Sequence, residues 1–212
     1  MKKYAYIEQL LERYPALSGA GESIKHSADI LADCYVQGGK ILIAGNGGSA
    51  ADSEHIVGEL MKGFVKARKV PDDYAGELKK IDEEAGMVLS KCLQQAVPAI
   101  ALCGHTSLST AYLNDVDGTV GFAQQVYGYG KKEDVFLGIS TSGNSKNVIY
   151  AAIAAKAKNM KVIGLTGETG GRLKDYCDVT IKVPATEPYK VQEYHLPVYH
   201  ALCLELEERF FE

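Results

Sequence analysis

His55 and Glu59 stand four residues apart in a proline-free stretch, Gly48 to Gly63. On a helix that spacing puts the imidazole and the carboxylate on one face, where they can hold a divalent metal or share a proton. Just upstream, an apolar run, Lys40-Ile41-Leu42-Ile43-Ala44, leads into Gly45-Asn46-Gly47-Gly48-Ser49. That order predicts a buried strand, a tight turn and the first turn of a helix, because glycines tolerate positive φ and leave amide N–H groups open to an anion. Taken alone, His55 reads more readily as a satisfied helix histidine than as a ligand.

A second group follows the apolar run Asp134–Ile139. Ser140-Thr141-Ser142-Gly143-Asn144-Ser145 places four hydroxyl-bearing residues and a glycine at a predicted strand-to-helix turn. Hydroxyls and amides there can converge on a phosphoryl group without a lysine. An ordinary Ser/Thr-rich turn with Ser145 as N-cap fits the residues equally well. Neither glycine loop is a Walker A, since no G-K-[ST] follows. Neither is a dinucleotide fingerprint, since the third glycine and an acidic ribose-binding residue are missing. No nucleotide cofactor is expected.

The elements that must position these groups follow from periodicity. Helices are expected over Tyr4–Tyr14 and Leu17–Gln37, the second stopped by Gly38-Gly39. This N-terminal pair, residues 1–38, fits either a subunit interface or a cover for one sheet face. Residues 65–95 form a highly charged segment, read as an ordered helical insertion that could border the site as a flap. Within it one helix, Tyr74–Gln94, would turn Leu78, Ile81, Ala85, Val88, Leu89 and Leu93 inward. Further strands are expected at Pro98–Cys103, Asp134–Ile139, Lys161–Thr166 and Asp178–Val183, with helices through Asp115, to Tyr129, over Asn147–Asn159 and over Gln192–Phe210. The alternation predicts an α/β fold, a doubly wound parallel sheet in a single domain over residues 1–212, with ligands at the C-terminal strand ends.

Composition narrows the partners. The 212 residues are 46% hydrophobic and carry a formal net charge of -4 with Lys and Arg scattered. There is no basic stripe for nucleic acid and no polybasic membrane patch, which leaves a small molecule or another protein. Cys34, Cys92, Cys103, Cys177 and Cys203 include no C-x-x-C pair and mostly lie among apolar residues, as reduced core thiols of a cytoplasmic protein would. The opening MKKYAYIEQLLERY is charged and amphipathic, unlike a signal peptide, and no apolar run reaches the length of a membrane span.

AGNGGSAADSEHIVGEL, then GISTSGNSKNVI, then QEYHLPVYH near the end closely resemble the sugar isomerase (SIS) domain and, within it, the phosphoheptose isomerase group. The resemblance covers nearly the whole chain, and the two loops in this order are specific to that group. It implies a five-stranded parallel sheet flanked by helices, a homotetramer or dimer with sites at subunit interfaces, and interconversion of sedoheptulose 7-phosphate with an aldoheptose 7-phosphate through a cis-enediol. It assigns Ser140, Thr141, Ser142 and Ser145 to the phosphate, Asn46 and Ser49 to the ligand near the first loop, and Asp115 and Gln192 to the substrate. His55, Glu59, Gln192 and His200 match the metal positions, and Glu59 and His200 the base and acid. Two imidazoles, a carboxylate and an amide oxygen suit zinc or a similar divalent ion.

Departures accompany the matches. Where the family brings an arginine to the sugar phosphate, the chain reads Leu60-Met61-Lys62-Gly63-Phe64, with Lys62, Lys66 and Arg68 as substitutes. Tyr189 stands where a substrate-contacting aspartate is common, and the segment 65–95 exceeds the family's short connection. Pro197 implies that the last helix effectively starts near Tyr194, leaving Gln192 on a preceding turn. His195 is read as structural. The alternative function is that of a non-catalytic SIS protein that binds a phosphosugar or a protein partner, as the replication-initiator-associating and regulatory branches do.

Overall fold

The computed structural model describes residues 3–211. Five strands, β1 (Ile41–Ala44), β2 (Ala99–Ala101), β3 (Val135–Ser140), β4 (Lys161–Thr166) and β5 (Val179–Lys182), form one parallel sheet in the order β2-β1-β3-β4-β5. The strands are short apolar runs because both sheet faces are covered. Ile41, Ile43, Leu137, Ile139, Ile163, Leu165 and Ile181 point into one core, while Leu42, Ala44, Phe136 and Val162 point into the other. Register is pinned by a buried carboxylate: Asp134 accepts from the Lys40 amide at 2.9 Å and from Lys40 Nζ at 2.6 Å. The chain leaves β1 outward to β2 and returns to the other side as β3, so the topological switch point lies between β1 and β3.

The helices are α1 (Ala5–Arg13), α2 (Gly21–Val36), α3 (Gly48–Met61), α4 (Asp72–Ile81), α5 (Glu83–Cys92), α6 (Thr106–Asp115), α7 (Gly121–Tyr129), α8 (Lys146–Ala157) and α9 (Pro188–Phe210). Helices α1, α2, α3 and α9 share one side, and α7 and α8 pack together on the other. Leu17 lies in a short 3₁₀ turn, Pro15–Ala20, and α2 begins only at Gly21.

Three expectations are corrected. The helix expected over Tyr74–Gln94 is two, broken at Asp82, which adopts extended φ/ψ and caps α5 by accepting from the Ala85 amide at 2.8 Å. An aspartate that can cap competes with helix continuation, and here the cap wins. Consequently α4 and α5 pack mainly on each other, and Ile81, Val88, Leu89 and Leu93 are exposed, not inward. The last helix begins at Pro188 and includes both Gln192 and Pro197 in its interior. Glu193, whose carbonyl loses its partner at Pro197, is exposed and lines the same open cleft as the proline, so water can replace the missing donor. Of the cysteines, all free, Cys34 and Cys203 are buried but Cys92 is exposed.

Candidate active site

The two predicted loops meet across the switch point. Asn46, after β1, and Asn147, at the start of α8, exchange paired amide hydrogen bonds of 3.0 and 2.8 Å. Gly47, at φ 57°, turns the chain into α3, and buried Ser49 sits in its first turn. In the second loop Ser140 Oγ lies 2.9 Å from Ser145 Oγ. Ser145 occupies the N-cap position of α8, yet its side chain caps no amide of the helix. Its hydroxyl is instead paired with that of Ser140. Gly143 is required twice over: its φ is 66°, and a Cβ would strike the Gly170 carbonyl behind the loop. Thr141 is half-buried and Ser142 exposed, its Oγ accepting from the Asn144 amide at 3.1 Å.

Two turns along α3 the second group assembles. His55 Nε2 is 3.3 Å from Glu59 Oε1, and the His55 and His200 rings are edge-on with centroids 5.0 Å apart. His200 Nε2 is buried without a hydrogen-bond partner. Desolvation, then the neighbouring His55, hold the His200 pKa below its ordinary value of 6.5. Phe64 packs its ring on His200 at 5.4 Å. Behind His55, Tyr199 OH lies 3.0 Å from Nδ1 and 3.3 Å from Asp52 Oδ1. Burial, then Asp52, push the Tyr199 phenol well above its ordinary range, and burial raises the Asp52 carboxyl against the opposing effects of Tyr199 and His55.

The remaining site residues are dispersed. Gln192 stands beside the first turn of α3, where a Cβ on Gly48 would fall 2.6 Å from its Nε2. Eight residues, or about 12 Å of helix rise, separate it from His200. Asp115 ends α6, exposed, accepting from Asn114 Nδ2 at 2.7 Å; no hydrogen bond or ion pair among the described residues joins it to either group.

The substitutes for the missing arginine separate cleanly. Arg68 is 2% exposed. It pairs with Glu207 at 2.7 Å, donates to the carbonyls of Leu60 and Glu59, and stacks on Phe211. It therefore cannot reach a substrate, and that expectation is corrected. Lys66 is engaged with Glu208 and the Phe211 carbonyl. Lys62 alone is largely exposed, 3.0 Å from Glu59 Oε2.

Does this arrangement fit a metal? Three atoms that can act as lone-pair donors, His55 Nε2, Glu59 Oε1 and the unpartnered His200 Nε2, stand on facing helices, and two imidazoles with one carboxylate are a donor set that zinc accepts. The types and the orphaned nitrogen fit. No group of three or more His, Cys, Asp or Glu among the described residues is closed into metal-holding geometry.

His195, also on α9, is fully buried, and neither ring nitrogen has a hydrogen-bond partner. Desolvation lowers its pKa to about 4, with the Thr166 backbone opposing in part. A folded-state pKa below the unfolded value of about 6.5 means that the unfolded chain binds the extra proton. Stability is then complete above pH 6.5 and falls as pH drops toward 4, by up to about 3 kcal/mol. Urea midpoints measured from pH 7 to 4 should show this slope, and His195→Leu should flatten it.

A parallel sheet in the order 2-1-3-4-5, with a hydroxyl-rich loop at the switch point and a histidine–carboxylate group further along α3, defines a doubly wound α/β protein with a candidate ligand site at its strand ends. The chain belongs to the SIS domain family, whose model matches residues 4–80 and 89–167. The unmatched residues, 81–88, are the last residue of α4, the Asp82 turn and the first part of α5. Within the family its relatives are phosphoheptose isomerases. That of a Nitratiruptor species is 42% identical over 171 residues, 81% of this chain and 78% of the relative. The solved phosphoheptose isomerase of Neisseria gonorrhoeae superposes with a TM-score of 0.68 at 33% identity, covering 94% of this chain and 91% of that one. For the Francisella tularensis enzyme the values are 0.76, 29%, 96% and 95%.

Proposed function

We propose that this protein is a phosphosugar aldose–ketose isomerase that interconverts sedoheptulose 7-phosphate and an aldoheptose 7-phosphate. The observation that carries the reading is the apposition of Glu59 and the half-buried His200, whose Nε2 has no partner, on neighbouring helices, in a chain with phosphoheptose isomerase relatives. The serine loop, Ser140, Thr141, Ser142 and Ser145, holds the phosphate, and Asn46, Ser49, Gln192 and Asp115 hold the sugar. Glu59 takes a proton from C1 of the ketose as His200 donates the proton of its other ring nitrogen, Nδ1, to the C2 oxygen, giving the cis-enediol. Glu59 then returns its proton to C2 while His200 recovers one from the C1 hydroxyl, leaving the aldehyde, so that no proton is gained or lost overall.

His55, Glu59 and His200 would hold a divalent ion such as zinc, which when bound polarises the substrate's carbonyl and hydroxyl oxygens. A carboxylate committed to a cation is a weak base. The two Glu59 oxygens divide the work: Oε1 faces His55, and Oε2 faces the exposed Lys62, which can swing away. Gln192, which the resemblance gives to the metal as well as to the substrate, lies beside Gly48 and about 12 Å of helix rise from His200, so it serves the sugar end and not the cation. We further propose a homotetramer or dimer, with a second copy closing the cleft of about 370 Å³ between α1 and α9 in which His200 is reached past Tyr6, Arg13 and Phe64, and a cytoplasmic location. No helix is long and apolar enough to cross a membrane among the described residues.

The test is incubation of the purified, zinc-supplemented protein with sedoheptulose 7-phosphate, with product followed by mass-resolved chromatography. Aldoheptose 7-phosphate should accumulate. Absence of turnover at a sugar phosphate concentration that protects the fold thermally would replace the isomerase by a phosphosugar-binding protein.

A further inference from the structure

The His55 imidazole is held from behind by two residues that no catalytic assignment uses. Its Nδ1 is 3.0 Å from the Tyr199 hydroxyl, and that hydroxyl donates to Asp52 Oδ1 at 3.3 Å. Tyr199 is 1% exposed. Asp52 and His55 both lie on α3 and Tyr199 on α9, so the three groups are fixed by rigid elements. A phenol has one proton, and a carboxylate can only accept. With the phenol proton committed to Asp52, the Tyr199 oxygen accepts from His55, and the imidazole proton therefore resides on Nδ1. Nε2 then presents its lone pair toward Glu59 Oε1, 3.3 Å away. Two acceptors facing each other at that distance repel unless a cation comes between them.

We propose that Asp52 and Tyr199 are positioning residues that lock His55 as its Nδ1–H tautomer and so preset Nε2 as a cation ligand. The inference rests on the reading of His55, Glu59 and His200 as the metal end of the site. Metal-binding histidines generally donate their far N–H to an outer acceptor, which orients the ring and raises the basicity of the ligating nitrogen. Here that acceptor is a phenol, polarised in turn by a half-buried carboxylate whose second oxygen has no partner. The relay runs between α3 and α9, so it also ties the two helices that carry the donors to one geometry.

The test uses the intact, metal-free protein. Long-range ¹H–¹⁵N correlation of the histidine rings should show His55 as Nδ1–H. In Asp52→Asn the new amide can donate to the phenol oxygen, which frees the phenol proton for Nδ1 and moves the imidazole proton to Nε2. In Tyr199→Phe no partner remains, and the tautomers should mix. Zinc affinity, read by competition with a chromophoric chelator, should fall about 10–100-fold in both variants, with unchanged far-ultraviolet circular dichroism. A wild-type His55 protonated on Nε2, or variants that leave both the tautomer and zinc affinity unchanged, would overturn the proposal. A wild type that binds no zinc yet shows the Nδ1–H tautomer, lost in the variants, supports the positioning pair and overturns the metal reading instead.

Discussion

Glu59→Gln should lower kcat for ketose-to-aldose conversion by about 10²–10⁴-fold, the range that a positioned general base contributes. Glutamine keeps the length and one oxygen of the side chain but cannot take a proton from carbon. The serine loop proposed to hold the phosphate lies on a different element, between β3 and α8, so thermal protection by the sugar phosphate should survive. A second readout isolates the proton step: in deuterated solvent the wild type should wash deuterium into the substrate at C1, and the variant should not. His200→Asn should lose activity to a comparable degree. The double variant should be little worse than either, because the two groups act on one proton-transfer cycle. Glu59→Gln retaining more than a tenth of wild-type turnover would move the base elsewhere, Asp115 being the remaining carboxylate the family pattern offers.

What could be read in advance was whatever depends on near neighbours in the chain. Alternating strands and helices dictate the doubly wound sheet, and glycines before Ser49 and within Ser140–Ser145 mark the turns at its switch point. The four-residue spacing of His55 and Glu59 places them on one helix face wherever that helix lies. What escaped the sequence is what joins distant positions. Tyr199 is 147 residues from Asp52 and 144 from His55, and a tyrosine before His200 has no local pattern that separates it from core. Arg68 reads as a free cation because charge alone says nothing about burial; its partner Glu207 is 139 residues away. The break at Asp82 was available, since an aspartate followed three residues later by an open amide is a cap, but helical periodicity on both sides hid it.

The Arg68–Glu207 pair carries the second large effect, on stability. Both side chains are almost completely buried, at 0% and 1%. Burial alone would raise the Glu207 carboxyl, but the amides of Phe64 and Val65 and the Arg68 guanidinium outweigh it and hold its pKa below the ordinary value. Glu207 accepts from three successive amides, of Phe64, Val65 and Lys66, at 2.7, 2.8 and 3.3 Å. Arg68, at φ 41°, carries a backbone conformation that a long side chain tolerates only under such restraint. Removing one member of a buried pair costs about 3–5 kcal/mol, because the other is left charged without its partner. Arg68→Met should fall at the lower end, since three amides still face Glu207. Glu207→Leu should cost more, since it strands a guanidinium and those three amides together. At about 2–4 °C per kcal/mol for a chain of this size, the melting temperatures should drop by roughly 10 °C, compared at one protein concentration. A drop of less than about 2 °C, which is under 1 kcal/mol on that scale, or the reverse order of the two variants, would show that the pair does not anchor the loop. Because Arg68 also binds the carbonyls of Glu59 and Leu60 at 3.4 and 2.8 Å, the end of α3 that bears Glu59, the proposed base, is held by the same guanidinium. Arg68→Met should therefore lower kcat as well as stability, by less than Glu59→Gln does, with KM for the sugar phosphate little changed.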